Sequence, residues 1–362
     1  MRIAQVAPLY ERVPPVLYGG TERVVSYLTE ALVRSGHEVT LFASGDSRTG
    51  AALWAPCRRA LRLDAAYRDP LAPHVRMLGE VYRRAPAFDV IHCHTDYLGL
   101  PFTRWVRTPT LVTLHGRLDI PEIWPLYADY PEVGLVSISD AQRRPMPAAA
   151  WMGTVHHGLP RRLYAPSLAS GSYLVFMGRI SPEKRPDAAI AIARRAGVPL
   201  KIAAKVDAVD RAYWETEIRP LLDGPLVEFL GEVGDDRKGA LLAGAAALLF
   251  PIDWPEPFGL VMIEALACGT PVVARRRGSV PEIVEDGVTG FVRETDDELV
   301  AAVHRLPALD RARCRAAFET RFTDDIMAQR YLDLFARVRA PAAPSGRRPR
   351  AAGRGGATLA PM

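Results

Sequence analysis

Cysteine is scarce in this chain: Cys57, Cys93, Cys268 and Cys314 are scattered among 362 residues with no paired spacing. That excludes a disulfide framework and a cysteine-built zinc site, and leaves reduced, partly buried thiols as the expectation. Long apolar runs are missing too. No stretch nears the roughly 20 consecutive apolar residues that a bilayer span needs, so any membrane contact would be peripheral. The opening residues 1–7 run straight into a strand-like segment, without the apolar core and small-residue cleavage site of a secretory signal. Cytoplasm is the expected location. Net charge is also lacking once its source is found. Of the formal +5, four charges are Arg347, Arg348, Arg350 and Arg354, in an acid-free segment spanning 340–362. The body is left at +1, which gives no reason to expect a nucleic-acid groove.

What is present is alternation. Residues 3–7 form a short apolar run, followed by the turn-rich Pro14-Pro15-Val16-Leu17-Tyr18-Gly19-Gly20. Thr21 is placed to cap a helix whose Val24, Leu28, Ala31 and Leu32 share one face, and Gly36 ends it. Residues 38–43, 90–91, 110–114 and 135–138 read as further buried strands. Between 151 and 172, glycines and prolines suggest an interdomain connection. The pattern then restarts, with strands at 173–177, 200–204, 227–230, 248–251, 271–274 and 290–292 and helices at 187–196 and 213–222. Repeated strand–helix alternation predicts α/β domains with doubly wound, mainly parallel sheets. At this length two of them fit, facing each other across a ligand cleft. Residues 322–338 carry a helical pattern with Ile326, Tyr331, Leu334 and Phe335 as contacts. Beyond Arg339, the Pro, Ala, Gly and Arg composition reads as a disordered, solvated tail.

The densest chemistry is in Pro255-Glu256-Pro257-Phe258-Gly259-Leu260-Val261-Met262-Ile263-Glu264, a proline-bounded loop that opens into a helix ending at Gly269. A helix N-terminus offers unpaired N–H groups and partial positive charge, which suit a phosphate. Gly259 lets the backbone approach a ligand. Glu256 lies before the helix and Glu264 about two turns inside it, so the two carboxylates can reach separate hydroxyl groups of one long ligand. The plain alternative is a capping acid and a helix-face ion pair. Gly178-Arg179-Ile180-Ser181-Pro182-Glu183-Lys184 follows the first strand of the second half. There Arg179 can fork onto phosphate oxygens and Lys184 adds a point charge, with a solvated basic turn as the alternative. Gly19 and Gly20 make a tight strand-to-helix turn, without the third glycine of a dinucleotide fingerprint. Thr113-Leu114-His115-Gly116 sets a histidine past a strand end. His92-Cys93-His94-Thr95-Asp96 has metal-like residues but no further ligand-rich segment to complete a set, so no metal is expected. Asp96 follows its strand into the cleft, and His156-His157-Gly158, at the domain junction, reads as a structural or hinge segment.

In these residues the chain resembles the GT-B fold, retaining glycosyltransferases of family 4, whose two glutamates are spaced by seven residues. The resemblance covers residues 1 to about 338. It implies a nucleotide-sugar donor and retention of anomeric configuration, without metal or resident cofactor. Glu256 and His115 would hold donor-sugar hydroxyls and Glu264 the ribose. Phe258, Gly259, Leu260 and Val261 would meet the diphosphate through their backbone, Arg179 and Lys184 would stabilise it as it leaves, and Gly19 and Gly20 would close over it. Residues 1–160 would be the acceptor-side domain and 161–320 the nucleotide-sugar domain, with a helix at 321–339 packing back on the first. The acceptor would be a hydroxyl of a sugar, a lipid-linked sugar or a small molecule, with Asp96 and Glu22 as candidate acceptor contacts. Arg185 and Arg277 stand where many relatives have glycine, which leaves their roles open. The fold also admits a sugar-nucleotide epimerase or a phosphorylase, and a non-catalytic sugar-nucleotide binder stays open as well.

Overall fold

The computed structural model describes residues 1–17 and 19–339, so Tyr18 and the expected tail at 340–362 lie outside the described residues. Among the described residues, thirteen strands form two sheets. The first contains β1 (Arg2–Val6), β2 (Glu38–Phe42), β3 (Ala52–Trp54), β4 (Val90–Cys93), β5 (Thr110–Thr113), β6 (Gly134–Ser137) and β7 (Trp151–Thr154). The second contains β8 (Tyr173–Arg179), β9 (Leu200–Lys205), β10 (Val227–Gly231), β11 (Ala245–Phe250), β12 (Val272–Arg275) and β13 (Gly290–Arg293). Their orders are β3-β2-β1-β4-β5-β6-β7 and β10-β9-β8-β11-β12-β13, and every recorded pairing between strands is parallel. Helices cover both faces of such sheets, which is why central strands such as Val90–Cys93 and Thr110–Thr113 are buried at every position.

Strand order reverses between β1 and β4 in the first sheet and between β8 and β11 in the second. In open α/β sheets, ligands bind outside the carboxyl ends of the strands at such a reversal. Asp96 follows β4 and His115 follows β5. Lys184 follows β8, at whose end Arg179 sits, and Glu256 follows β11. Topology alone therefore sends the main candidate side chains to one place.

The C-terminal helix Asp324–Arg339 fastens the two halves together. Its Tyr331 and Phe335 are fully buried, and the Tyr331 hydroxyl lies 3.0 Å from Thr113 Oγ1 at the end of β5. Arg34 of the first domain donates to Asp324 at 2.6 Å. One continuous apolar cluster runs from Ile3 and Leu28 through Leu159, Phe322 and Tyr331 to Phe258 and Ile263.

Three local expectations change. Trp151–Thr154 is the last strand of the first sheet rather than the start of the connection. The helix expected at 213–222 is broken into an α turn (Arg211–Tyr213), a π turn (Trp214–Ile218) and a 3-10 turn (Arg219–Leu222). Pro220 has no N–H for a continuous ladder, and the widened turn precedes it. Thr21 does not cap the first helix, which spans Gly20–Arg34 with Gly19 as its cap. Gly19 has φ 152°, and a Cβ there would meet Pro15 at 2.8 Å, so only glycine fits.

Candidate active site

Between the sheets lies a cleft of about 770 Å³ lined from both halves. Glu256, Arg179, Lys184, His115, Gly19, Gly20, Phe258, Gly259, Leu260, Val261, Glu264, Asp96 and Glu22 all line it. Residues far apart in sequence thus come together in one cavity.

On the second-domain wall the charges are cross-paired. Glu256 is 8% exposed, and its carboxylate accepts from the Lys184 ammonium and from the Trp254 indole N–H at 3.0 Å. The same ammonium sits 4.8 Å from the centre of the Trp254 ring. Glu264 is buried within the helix Leu260–Ala267 and accepts from Lys238 at 2.9 Å. A buried carboxylate needs such a partner, since an unpaired charge would be far more costly. Arg179 donates to Glu183 at 2.6 Å and lies 3.8 Å from Asp210. The expected phosphate-binding cations thus already face carboxylates, for which an anionic ligand would compete.

The loop bearing Glu256 is held rigidly. The backbone N–H of Ser279 donates to the Glu256 carbonyl at 3.0 Å, and its hydroxyl donates to the Phe258 carbonyl at 2.8 Å. Gly278, at φ 51°, fits against this loop because a Cβ there would come within 2.3 Å of the Glu256 carbonyl oxygen. Gly259, at φ 76°, caps the helix whose first turn lines the cleft. The N-terminus of the Gly20–Arg34 helix comes up from the opposite side, and a Cβ on Gly20 would lie 3.7 Å from Leu260. Two positive helix ends therefore converge on one space.

The first-domain wall carries a cluster of histidines. His115 Nε2 lies 2.9 Å from His94 Nδ1, and His94 Nε2 lies 2.9 Å from Gln5 Oε1. The His115 ring stacks on His157 at 5.3 Å, and His157 packs edge-on against Phe258 at 4.7 Å. Burial drives the His115 imidazolium down to about 3, and holds His92, His94 and His157 well below the ordinary histidine range. All four rings are neutral near pH 7. Asp96 has φ 49° and accepts from the backbone N–H of His115. Crowding by protein raises its carboxyl to about 6, although the side chain is open to the cleft's own volume. Glu22, raised by burial, accepts from the Glu11 backbone N–H at 3.3 Å and so braces the loop above the cleft.

Several lining residues were not singled out from the sequence. Arg23 of the first domain forms an ion pair with Asp235 of the second, and Lys238 lies 3.4 Å from the same aspartate. Trp254, Arg62 and Arg117 also line the cleft. Trp254 directly adjoins the glutamate motif and was legible there. Lys238 and Arg23 become visible only when their helices pack. His157, read from the sequence as part of the domain junction, also lines the cleft. Arg185 bonds Asp187 and Arg277 bonds Asp253, and neither lines the cleft. Among the described residues, no three His, Cys, Asp or Glu side chains gather as a metal site.

The model for "Glycosyl transferases group 1" matches residues 168–318, and that for "Glycosyltransferase Family 4" matches residues 18–192. The chain belongs to the group 1 glycosyltransferases. Over 364 aligned residues it is 25% identical to a phosphatidyl-myo-inositol mannosyltransferase of Mycobacterium leprae, with 92% of this chain and 90% of that protein covered. AviGT4, a glycosyltransferase involved in avilamycin A biosynthesis, has a similar structure (TM-score 0.70, 26% identity, 94% of this chain and 99% of that one). Anabaena Alr3699/HepE, solved with UDP and glucose, shares the fold at 20% identity and a TM-score of 0.71 over 93% of this chain and all of that one. The two parallel-sheet domains are those of the GT-B fold. No helix among the described residues is long and apolar enough to cross a membrane.

Proposed function

We propose that this glycosyltransferase takes its sugar from a nucleotide-diphosphate donor and passes it to a hydroxyl acceptor with retention of configuration, without a metal. The observation that carries this reading is the Lys184–Glu256 pair, set beside Arg179 and the first turn of the Leu260–Ala267 helix in one cleft. In this reading the diphosphate rests on Arg179, Lys184 and the helix N-terminus. Once the phosphate takes over Lys184, Glu256 is free to accept from donor-sugar hydroxyls. Glu264 accepts from the ribose. These fixed positive groups stabilise charge growing on the leaving phosphate, the role a divalent ion would otherwise fill.

The acceptor enters along the first-domain wall past Asp96 and His115. The bond from the anomeric carbon to the phosphate oxygen breaks while the acceptor oxygen arrives on the same face. The acceptor's proton passes to the departing phosphate oxygen. No lining side chain needs to form a covalent intermediate. The M. leprae relative's name makes inositol-bearing acceptors the first to assay. Four free, buried cysteines support a reducing, cytoplasmic setting.

Proton NMR of reactions in EDTA tests the proposal, using UDP-glucose, ADP-glucose and GDP-mannose against myo-inositol, inositol phosphate and phosphatidylinositol vesicles. The expected result is consumption of one donor and a product that keeps the donor's anomeric configuration. An inverted product, or turnover only after Mg²⁺ or Mn²⁺ is added, would overturn it.

A further inference from the structure

The histidine wall contains more than the glycosyl-transfer reading uses. Gln5 is fully buried on β1, and His94 is 2% exposed just beyond β4. Neither reaches the second domain's charged residues, yet both join the chain of hydrogen bonds that ends at His115. That chain has a direction. The carboxamide oxygen of Gln5 can only accept, so His94 Nε2 carries the hydrogen at this 2.9 Å contact. His94 is a neutral imidazole with a single N–H, which leaves its Nδ1 bare. At the next contact, also 2.9 Å, His94 Nδ1 must therefore accept from His115 Nε2–H. His115 is neutral as well, so its Nδ1 carries no hydrogen.

That nitrogen is buried and has no hydrogen-bond partner in the protein, and neither has Gln5 Nε2. Stacking on His157 limits rotation of the ring, and the backbone N–H of the same residue is held by Asp96.

We infer that Gln5 and His94 are positioning residues that hold His115 in the Nε2–H tautomer, so that His115 meets the bound ligand as a hydrogen-bond acceptor and not as a donor. This rests on reading the cleft as the donor-sugar site. It narrows the sequence expectation, in which His115 holds a donor-sugar hydroxyl, by fixing which of the two groups donates. A ligand hydroxyl that reaches this buried nitrogen must give its hydrogen to Nδ1, so a donor analogue that lacks this hydroxyl, or carries an acceptor in its place, is selected against. Turning the Gln5 carboxamide end for end would reverse both hydrogen bonds and convert His115 into a donor, so one buried amide sets the polarity of a cleft residue.

The test is long-range nitrogen–proton NMR on the full chain with ¹⁵N-labelled histidine, without ligand, using His115→Gln to assign the signal. The expected spectrum has His115 protonated at Nε2 and bare at Nδ1. In Gln5→Met and His94→Phe, His115 should shift towards a mixture of tautomers while the melting curve stays cooperative. With whichever of UDP-glucose or GDP-mannose the wild type consumes, kcat should fall roughly tenfold in both variants, the worth of one good hydrogen bond. A His115 protonated at Nδ1 in the wild type overturns the inference, as does an unchanged tautomer in Gln5→Met. If both variants unfold, the wild-type spectrum alone decides. If the wild type consumes neither donor, the donor reading suffers, while the tautomer assignment stands or falls on its own spectrum.

Discussion

The two walls of the cleft meet the same demand by different means. The second-domain wall keeps its charges and neutralises them locally: Lys184 with Glu256, Lys238 with Glu264, Arg179 with Glu183. The first-domain wall also carries charge, at Arg23, Arg62 and Arg117, but its centre uses neutral rings joined in a directed chain, Gln5 to His94 to His115. A wall of paired charges can exchange its internal partners for a charged ligand. A patch of neutral rings adds no attraction for an anion, but it can sort hydroxyl groups by donor and acceptor. The contrast matches a diphosphate on one side and sugar or acceptor hydroxyls on the other.

The largest effect expected from breaking this contrast comes from behind the neutral wall. Tyr331 is fully buried against His92, with ring centres 4.6 Å apart, and its hydroxyl meets Thr113. Tyr331→Ala should destabilise the protein by roughly 3–5 kcal/mol, read from the denaturant midpoint at unchanged slope. On the charged wall, Arg179→Ala should leave the fold intact and lower kcat by roughly 10²–10³-fold in steady-state kinetics. An equal loss of stability there would erase the distinction between a wall built for folding and one built for charge exchange.

Acid should act on the neutral wall. The unfolded chain takes up protons on its histidines as pH drops below 6.5, whereas burial keeps His92, His94, His115 and His157 unprotonated in the folded state. Their contribution is fully present above that pH and is lost on acidification. Asp96, raised to about 6, and Glu22, also raised by burial, oppose this because their folded forms hold protons that the unfolded forms release. Two carboxyls do not cancel four rings. His157→Phe should therefore reduce the loss between pH 7 and pH 5 by about 2 kcal/mol in pH-dependent denaturation. The smallest effect concerns the joint between the walls. Arg23→Met removes the ion pair with Asp235 and should cost about 1 kcal/mol, because Lys238 and Tyr164 still face that carboxylate. Thermal melting measures it.

Legibility in the sequence follows the same divide. Both sheets were readable because buried parallel strands are short apolar runs between helical stretches. Ala52–Trp54 and Trp151–Thr154 escaped, since edge strands of three and four residues carry too little pattern. The charged wall was legible because Arg179 with Lys184, and Glu256 with Glu264, each lie on one continuous segment. Gln5 was invisible as a site residue. Nothing in a β-strand's alternation indicates that its fourth residue will touch a histidine 89 positions later. The Arg23–Asp235 pair spans 212 residues and exists only once the domains dock.

The central claim is that the charged wall holds a nucleotide diphosphate, and thermal unfolding in EDTA with UDP, GDP and ADP tests it most directly, comparing the wild type with Arg179→Ala. One of the three should stabilise the wild type by about 2.7 kcal/mol at a hundredfold excess over Kd, and Arg179→Ala should lose most of that gain. A wild type that none of the diphosphates stabilises, or an Arg179→Ala protein stabilised just as much, would contradict the account.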